Sequence, residues 1–178
     1  MRFLPQDIEG VWLVELEPAE DSRGAFARTF CAREFAAHGL ATAFVQHSRS
    51  LTRDKGALRG LHFQKPPHQE VKLVSCIRGA IYDVCLDLRQ NSKTFGRWIA
   101  CELNADNGRQ LYIPEGCAHG FQTLSPDSEV QYLISQYYAP EAGAGVRWDD
   151  PQFAIKWPLP VTAVSDKDRA WPAYSITR

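Results

Sequence analysis

The chain has 178 residues, with 20 Lys and Arg against 21 Asp and Glu, for a net charge of −1. That length suits one domain spanning residues 1–178, because domains usually run roughly 100–200 residues. The balanced, scattered charge excludes a binder of nucleic acid or of an anionic membrane surface. With 44% hydrophobic and 23% charged residues the chain reads as globular, and no uncharged apolar run approaches the ~20 residues of a membrane span.

The N-terminal Met1-Arg-Phe-Leu-Pro-Gln-Asp7 has no long apolar stretch, which predicts no secretory signal. A short β-branched strand is expected at 11–16, and a helix at 31–38 with Phe35 on its apolar side and Gly39 as its stop. Strands at 71–77 and 81–88 flank the turn Arg78-Gly79, and further strands are expected at 97–103 and at 110–113, before Pro114. Residues 129–137 alternate, with Val130, Tyr132 and Ile134 on one face and Gln131, Leu133 and Ser135 on the other. Residues 151–178 are rich in Pro and Trp and are expected to wrap the surface as extended chain. No helices alternate with these strands, so a parallel βαβ sheet is excluded and an antiparallel sandwich or barrel is predicted. Cys31, Cys76, Cys85, Cys101 and Cys117 include no C-x-x-C pair. They read as reduced thiols of a cytoplasmic protein, with Cys117 singled out because it neighbours a His in a loop-like segment.

Three segments hold the polar residues that look out of place: 56–64, 108–119, and Tyr132 within 129–137. Gly108-x5-Pro114-x-Gly116-x2-His119 is similar to the second signature of cupins, which are small jelly-roll barrels. Gly56-x5-His62 resembles the start of the first signature, but Gln64 stands where its second His belongs, and His68 and Glu70 are out of step with it. A cupin metal site needs three or four convergent His and carboxylate ligands, so a metal-free barrel is expected. Each residue also has a plainer reading. His62 and His119 suit buried, hydrogen-bonded histidines, Tyr132 a core aromatic, and Asp168 a solvated loop charge. Lys72 faces either solvent or the interior. In the second case it needs an anionic partner, for which Asp83 or Asp87 on the next strand are the candidates. Taken jointly, a base, a cation and a phenol in one small barrel suit proton abstraction next to a carbonyl.

Asp21-Ser-Arg-Gly-Ala-Phe26, Leu58-Arg-Gly-Leu-His62, Asp87-Leu-Arg89, Ala118-His-Gly-Phe121, Tyr137-Tyr-Ala-Pro140 and Ser165-Asp-Lys-Asp168 occur in this order over nearly the whole chain. In these stretches it resembles the dTDP-4-dehydrorhamnose 3,5-epimerase family. The resemblance implies an all-β, cupin-type antiparallel jelly-roll β-barrel with one or two short helices. It implies a homodimer without metal or other cofactor, acting on a small-molecule nucleotide sugar, dTDP-linked, that carries a 4-keto-6-deoxyhexose. It also implies roles for residues. His62 is the base at C3 or C5, Asp168 fixes its tautomer, Lys72 with Arg59 stabilises the enolate oxygen, and Tyr132 returns a proton from the opposite face. Arg23 meets the diphosphate, Tyr138 stacks on the base, and Phe26, Gln46, Ser48, His119 and Lys167 contact the ligand. Asp168→Asn is expected to cost less than His62→Ala.

The sequence departs from the family pattern at Arg28, in place of Glu, at Gln46-His47-Ser48, in place of Gln-x-Asn, and at Gly143, again in place of Glu. These departures bear on the nucleotide, the sugar and the choice of C3, C5 or both. A metal-dependent cupin and a non-catalytic sugar-binding barrel are the competing readings. Gln64 speaks against the first. The joint presence of His62, Asp168, Lys72 and Tyr132 speaks against the second.

Overall fold

The computed structural model describes residues 1–175. Among these, thirteen short strands and two short α-helices follow in order: β1 (Arg2–Pro5), β2 (Trp12–Glu15), β3 (Ala19–Asp21), β4 (Gly24–Phe26), α1 (Ala32–Ala37), β5 (Gln46–Thr52), β6 (Leu58–Gln64), β7 (Lys72–Arg78), β8 (Ala80–Asp87), β9 (Trp98–Asn104), β10 (Arg109–Ile113), β11 (Cys117–Thr123), β12 (Ser128–Ile134), β13 (Gly143–Gly145) and α2 (Asp166–Arg169). The strands expected from the sequence lie within a few residues of their predicted bounds. So does α1, with Gly39 beyond it at φ +69°.

Two antiparallel sheets pack face to face, in the orders β1-β2-β10-β7-β12-β5 and β13-β6-β11-β8-β9, with β3-β4 as a separate hairpin. This is the jelly-roll arrangement. Side chains alternate across a strand, so the registers Ile134↔Lys72, Tyr132↔Val74, Val130↔Cys76 and Tyr132↔Ser48 put these residues on one face. In the second sheet His62, His119, Cys85, Phe121 and Asp83 share a face through the pairs His119↔His62, His119↔Cys85 and Phe121↔Asp83. Leu13, Val74, Cys76, Ile81, Cys85, Leu111, Phe121 and Val130 fill the barrel between these faces.

Both outer faces are covered too. Phe35 of α1, with Phe3, Val14, Leu73 and Tyr112, packs behind the first sheet. Trp148, Phe153, Ile155, Trp157 and Tyr174 of the tail pack behind the second, on Leu61, Val84, Leu86 and Ala118. Double coverage removes the need for polar residues on alternate positions. This is why β7 and β8 read as continuous apolar runs. The tail contains α2 and bridges Leu58 through Val164. Residues 176–178 of that predicted segment lie outside the described residues.

One close approach sets the site. A Cβ on Gly60 would lie 2.6 Å from Gly120 Cα and 2.7 Å from the His119 oxygen, and Gly60 holds φ +113°. Only glycine tolerates both. The contact draws β6 and β11 together beside the pair His62↔His119.

Candidate active site

His62 stands on one wall of the barrel and Lys72 and Tyr132 stand on the other. Asp168 arrives from the tail. Ser165 caps α2 by accepting from the Asp168 backbone N–H at 3.1 Å, which fixes where the carboxylate points. Asp168 Oδ1 then accepts from His62 Nε2–H at 2.5 Å, and Oδ2 accepts from the Gly60 N–H at 3.2 Å. Burial pushes this carboxyl up, but the bonds from His62, Gly60 and Ser165 outweigh it and hold the group below its ordinary value. An ionised Asp168 on Nε2–H leaves Nδ1 of His62 as the lone-pair nitrogen.

Two expected partnerships differ from those observed. Lys72 does face the interior, with a side chain 12% exposed, but its partner is Glu70 at 3.0 Å rather than Asp83 or Asp87. Its ammonium also donates to the His62 carbonyl at 3.3 Å. Asp83 accepts instead from His119 Nε2 at 2.7 Å, in a second His–carboxylate pair with side chains 0% and 6% exposed. Asp87 turns away, accepting from Arg89, Ser92 and Thr94, and these bonds overcome its burial to lower it to about 2. The reason is direction along the strand. Asp83 lies across from Phe121 beside His119, and Asp87 lies four residues on, at the mouth of the Arg89 loop.

Burial raises the Tyr132 phenol well above its usual value; its hydroxyl lies 3.4 Å from Ser50 Oγ and its ring 6.0 Å from that of His119. Three connected spaces meet at His62. One of about 520 Å³ is lined by Ser48, Arg59, Lys72, His119 and Tyr132. Another of about 600 Å³ is lined by Gln46, Gln64, Glu70, Tyr138 and Lys167. The third, about 1330 Å³, runs past Arg59, Asp168 and Lys167 to solvent. Ten of the expected site residues therefore converge: His62, Asp168, Tyr132, Lys72, Gln46, Ser48, Arg59, His119, Tyr138 and Lys167.

Arg23 and Phe26 do not join them. They sit on the β3-β4 hairpin, where Phe26 is 76% exposed and Arg23 forms an ion pair with Asp21 at 2.6 Å. Arg28 also lies outside these walls, 3.5 Å from Glu34 of α1, whereas Gly143 lines the cavity. Cys117 is not a loop thiol. It begins β11 and is 5% exposed. Gln64, at the position of the missing metal ligand, spends its amide on the backbone. It donates to the carbonyls of His68 and Tyr137 and accepts from the Ala139 N–H, which pins the segment carrying Tyr138.

Sequence reasoning missed the pairing of Glu70 with Lys72 and of Asp83 with His119. The available signal was an acidic residue two positions before an interior Lys, which places both side chains on the same side of the chain as it enters β7.

The family model described as dTDP-4-dehydrorhamnose 3,5-epimerase matches residues 5–175. The dTDP-4-dehydrorhamnose 3,5-epimerase of Methanothermobacter thermautotrophicus is 44% identical over 173 residues, covering 96% of this chain and 92% of its own. The crystal structure of the Bacillus anthracis dTDP-4-dehydrorhamnose 3,5-epimerase with TDP and PPi bound superposes with a TM-score of 0.94 at 40% identity, covering 97% of this chain and 99% of its own. A 3'-monoepimerase of Streptomyces bikiniensis in complex with dTDP-quinovose superposes with a TM-score of 0.88 at 34% identity, covering 96% and 86%. With its motifs, its jelly roll and these relatives in agreement, the chain belongs to the dTDP-4-dehydrorhamnose 3,5-epimerase family.

Proposed function

We propose that this protein epimerises C3, C5 or both of a dTDP-linked 4-keto-6-deoxyhexose, as one domain in a cytoplasmic homodimer. The observation that carries the reading is the opposition of His62 on one sheet to Tyr132 and Lys72 on the other, around one cavity. Nδ1 of His62 takes the proton from a carbon next to the C4 ketone. A neutral imidazole, with an ordinary pKa of ~6.5, suits that task at neutral pH. Negative charge then develops on the C4 oxygen. Lys72, with Arg59 lining the same space, supplies cationic donors for it, and such donors in a water-poor site favour the transition state over the ground state. A single base returns the proton it took to the face it came from. Inversion needs a second donor, and Tyr132, kept protonated by burial, supplies it.

His119, held by Asp83, together with Ser48, Gln46 and Lys167, contacts the ligand, and Tyr138 stacks on the nucleotide base. Arg23 and Phe26 stand outside their own cavity, so in the homodimer their hairpin serves the partner's ligand. No metal or cofactor is called for, because proton transfer at a carbon activated by a ketone needs only the base, the cation and the acid.

Incubation with dTDP-4-dehydro-6-deoxyglucose in D2O, followed by NMR, tests the reading. Deuterium at C3 or C5 together with inverted product is expected. Retention of protium at both carbons overturns it.

A further inference from the structure

Among the described residues, two buried carboxylate oxygens lack a hydrogen-bond partner: Glu70 Oε2 and Asp83 Oδ2. Each belongs to an acid whose other oxygen meets a cavity side chain, Lys72 at 3.0 Å and His119 at 2.7 Å respectively. Asp87 makes the contrast. Both its oxygens are engaged, with the Arg89 guanidinium and backbone and the Ser92 and Thr94 hydroxyls, and it ties the 87–97 loop together. A buried carboxylate bound to a single partner does little to hold a fold, because desolvating its free oxygen is not compensated. Glu70 is of that kind, with a side chain 6% exposed. Its one evident effect is on Lys72.

We propose that Glu70 is a positioning residue that keeps the Lys72 ammonium charged and aimed into the cavity; this rests on the proposed role of Lys72 toward the C4 oxygen. The other titratable groups that line the spaces around Lys72 are Arg59 and His62 on β6, His119 on β11, Tyr132 on β12, Tyr138 and Lys167. None of these is an anion at neutral pH. The nearby acids Asp168 and Asp83 are already committed to His62 and His119. In these two spaces Glu70 is the one carboxylate among the described residues that faces Lys72. Without it, an ammonium that is 12% exposed sits among cations and neutral groups, and both desolvation and like charge favour its loss of a proton. The carbonyl of His62, at 3.3 Å, still accepts from it, but a neutral acceptor does not replace the charge.

Glu70→Gln keeps the size and an acceptor and removes the charge, and Glu70→Asp keeps the charge. Lysine labelled with ¹⁵N at Nζ, followed by NMR in the ligand-free protein, reads Lys72 directly and does not depend on any activity. Titration of Lys72 at lower pH in Glu70→Gln than in the wild type is expected, with Glu70→Asp near the wild type. The alkaline limb of the kcat profile should move to lower pH, with the plateau kcat lowered and KM changed less than twofold. A Lys72 titration that is the same in Glu70→Gln and wild type overturns the proposal. If Glu70→Gln does not fold, Glu70→Asp against Glu70→Ala gives the same comparison. A shifted Lys72 in a protein that epimerises no 4-keto sugar leaves the charge role standing and instead overturns the functional reading.

Discussion

His62 and His119 are direct cross-strand partners on β6 and β11, yet each is bound through Nε2 by a different carboxylate, Asp168 from the tail and Asp83 from β8. The two imidazoles therefore share a cavity without sharing a partner. Each holds an Nε2–H fixed by an acid, which leaves Nδ1 as the basic atom of both. Because the acids come from segments distant in sequence, the site exists only when the tail is docked.

His62→Ala should abolish proton exchange at both carbons, with kcat lowered about 10²–10⁴-fold, the ordinary contribution of a positioned base. Asp168→Asn should fall nearly as far, contrary to the milder loss expected from the sequence. Asp168 accepts two N–H donors, from His62 and Gly60. An amide has one oxygen, so one donor loses its acceptor, and an NH2 turned toward His62 forces the wrong tautomer. Deuterium exchange rates for the two variants decide the matter. A loss under tenfold in Asp168→Asn refutes the two-donor argument.

Tyr132→Phe should still exchange protons and should fail to invert at one or both carbons. Burial keeps this phenol protonated throughout the working pH range, so the wild type should show no alkaline limb from it below about pH 10. Product stereochemistry against label incorporation is the measurement, and full-rate epimerisation by the variant moves the donor role elsewhere.

Asp87 should give the fold an acid limb of stability. Its folded value is about 2, below its ordinary 3.8, so the stabilisation is complete above about pH 5 and is lost as pH falls through 3.8 toward 2. The shift corresponds to about 2 kcal/mol. Denaturant melts of wild type and Asp87→Asn across pH 2–7 should differ by at least that amount at pH 7 and converge at the acid end.

Gly60→Ala should destabilise by roughly 3 kcal/mol or more, because the new methyl meets the backbone of Gly120 and His119 rather than a flexible side chain. Gly24→Ala is the control. Gly24 also has positive φ, but a methyl there would have nothing within 4 Å, so only the conformational cost of about 1 kcal/mol applies. Equal melts for the two variants refute the close-approach argument.

The strands β7, β8 and β12 and the helix α1 are legible in the sequence alone, and the family resemblance of Leu58-Arg-Gly-Leu-His62 and Ala118-His-Gly-Phe121 carries the reaction class. β7 and β8 are legible because apolar runs broken by a turn leave few alternatives to a buried sheet, and β12 because its side chains alternate between two faces. The strands β5, β6 and β11 were not predicted, for a related physical reason. β5 is an exposed edge strand of mostly polar residues, and β6 and β11 spend their positions on Gly60, Gly120, His62 and His119, which serve the site rather than the pattern. That Lys72 meets Glu70, that Asp83 meets His119, and that Arg23 and Phe26 stand apart from the cavity emerge from the folded arrangement alone. Periodicity gives the face on which a side chain lies. It does not give how far along the facing strand its partner sits, because strand register and the docking of the tail are set by packing between segments remote in sequence.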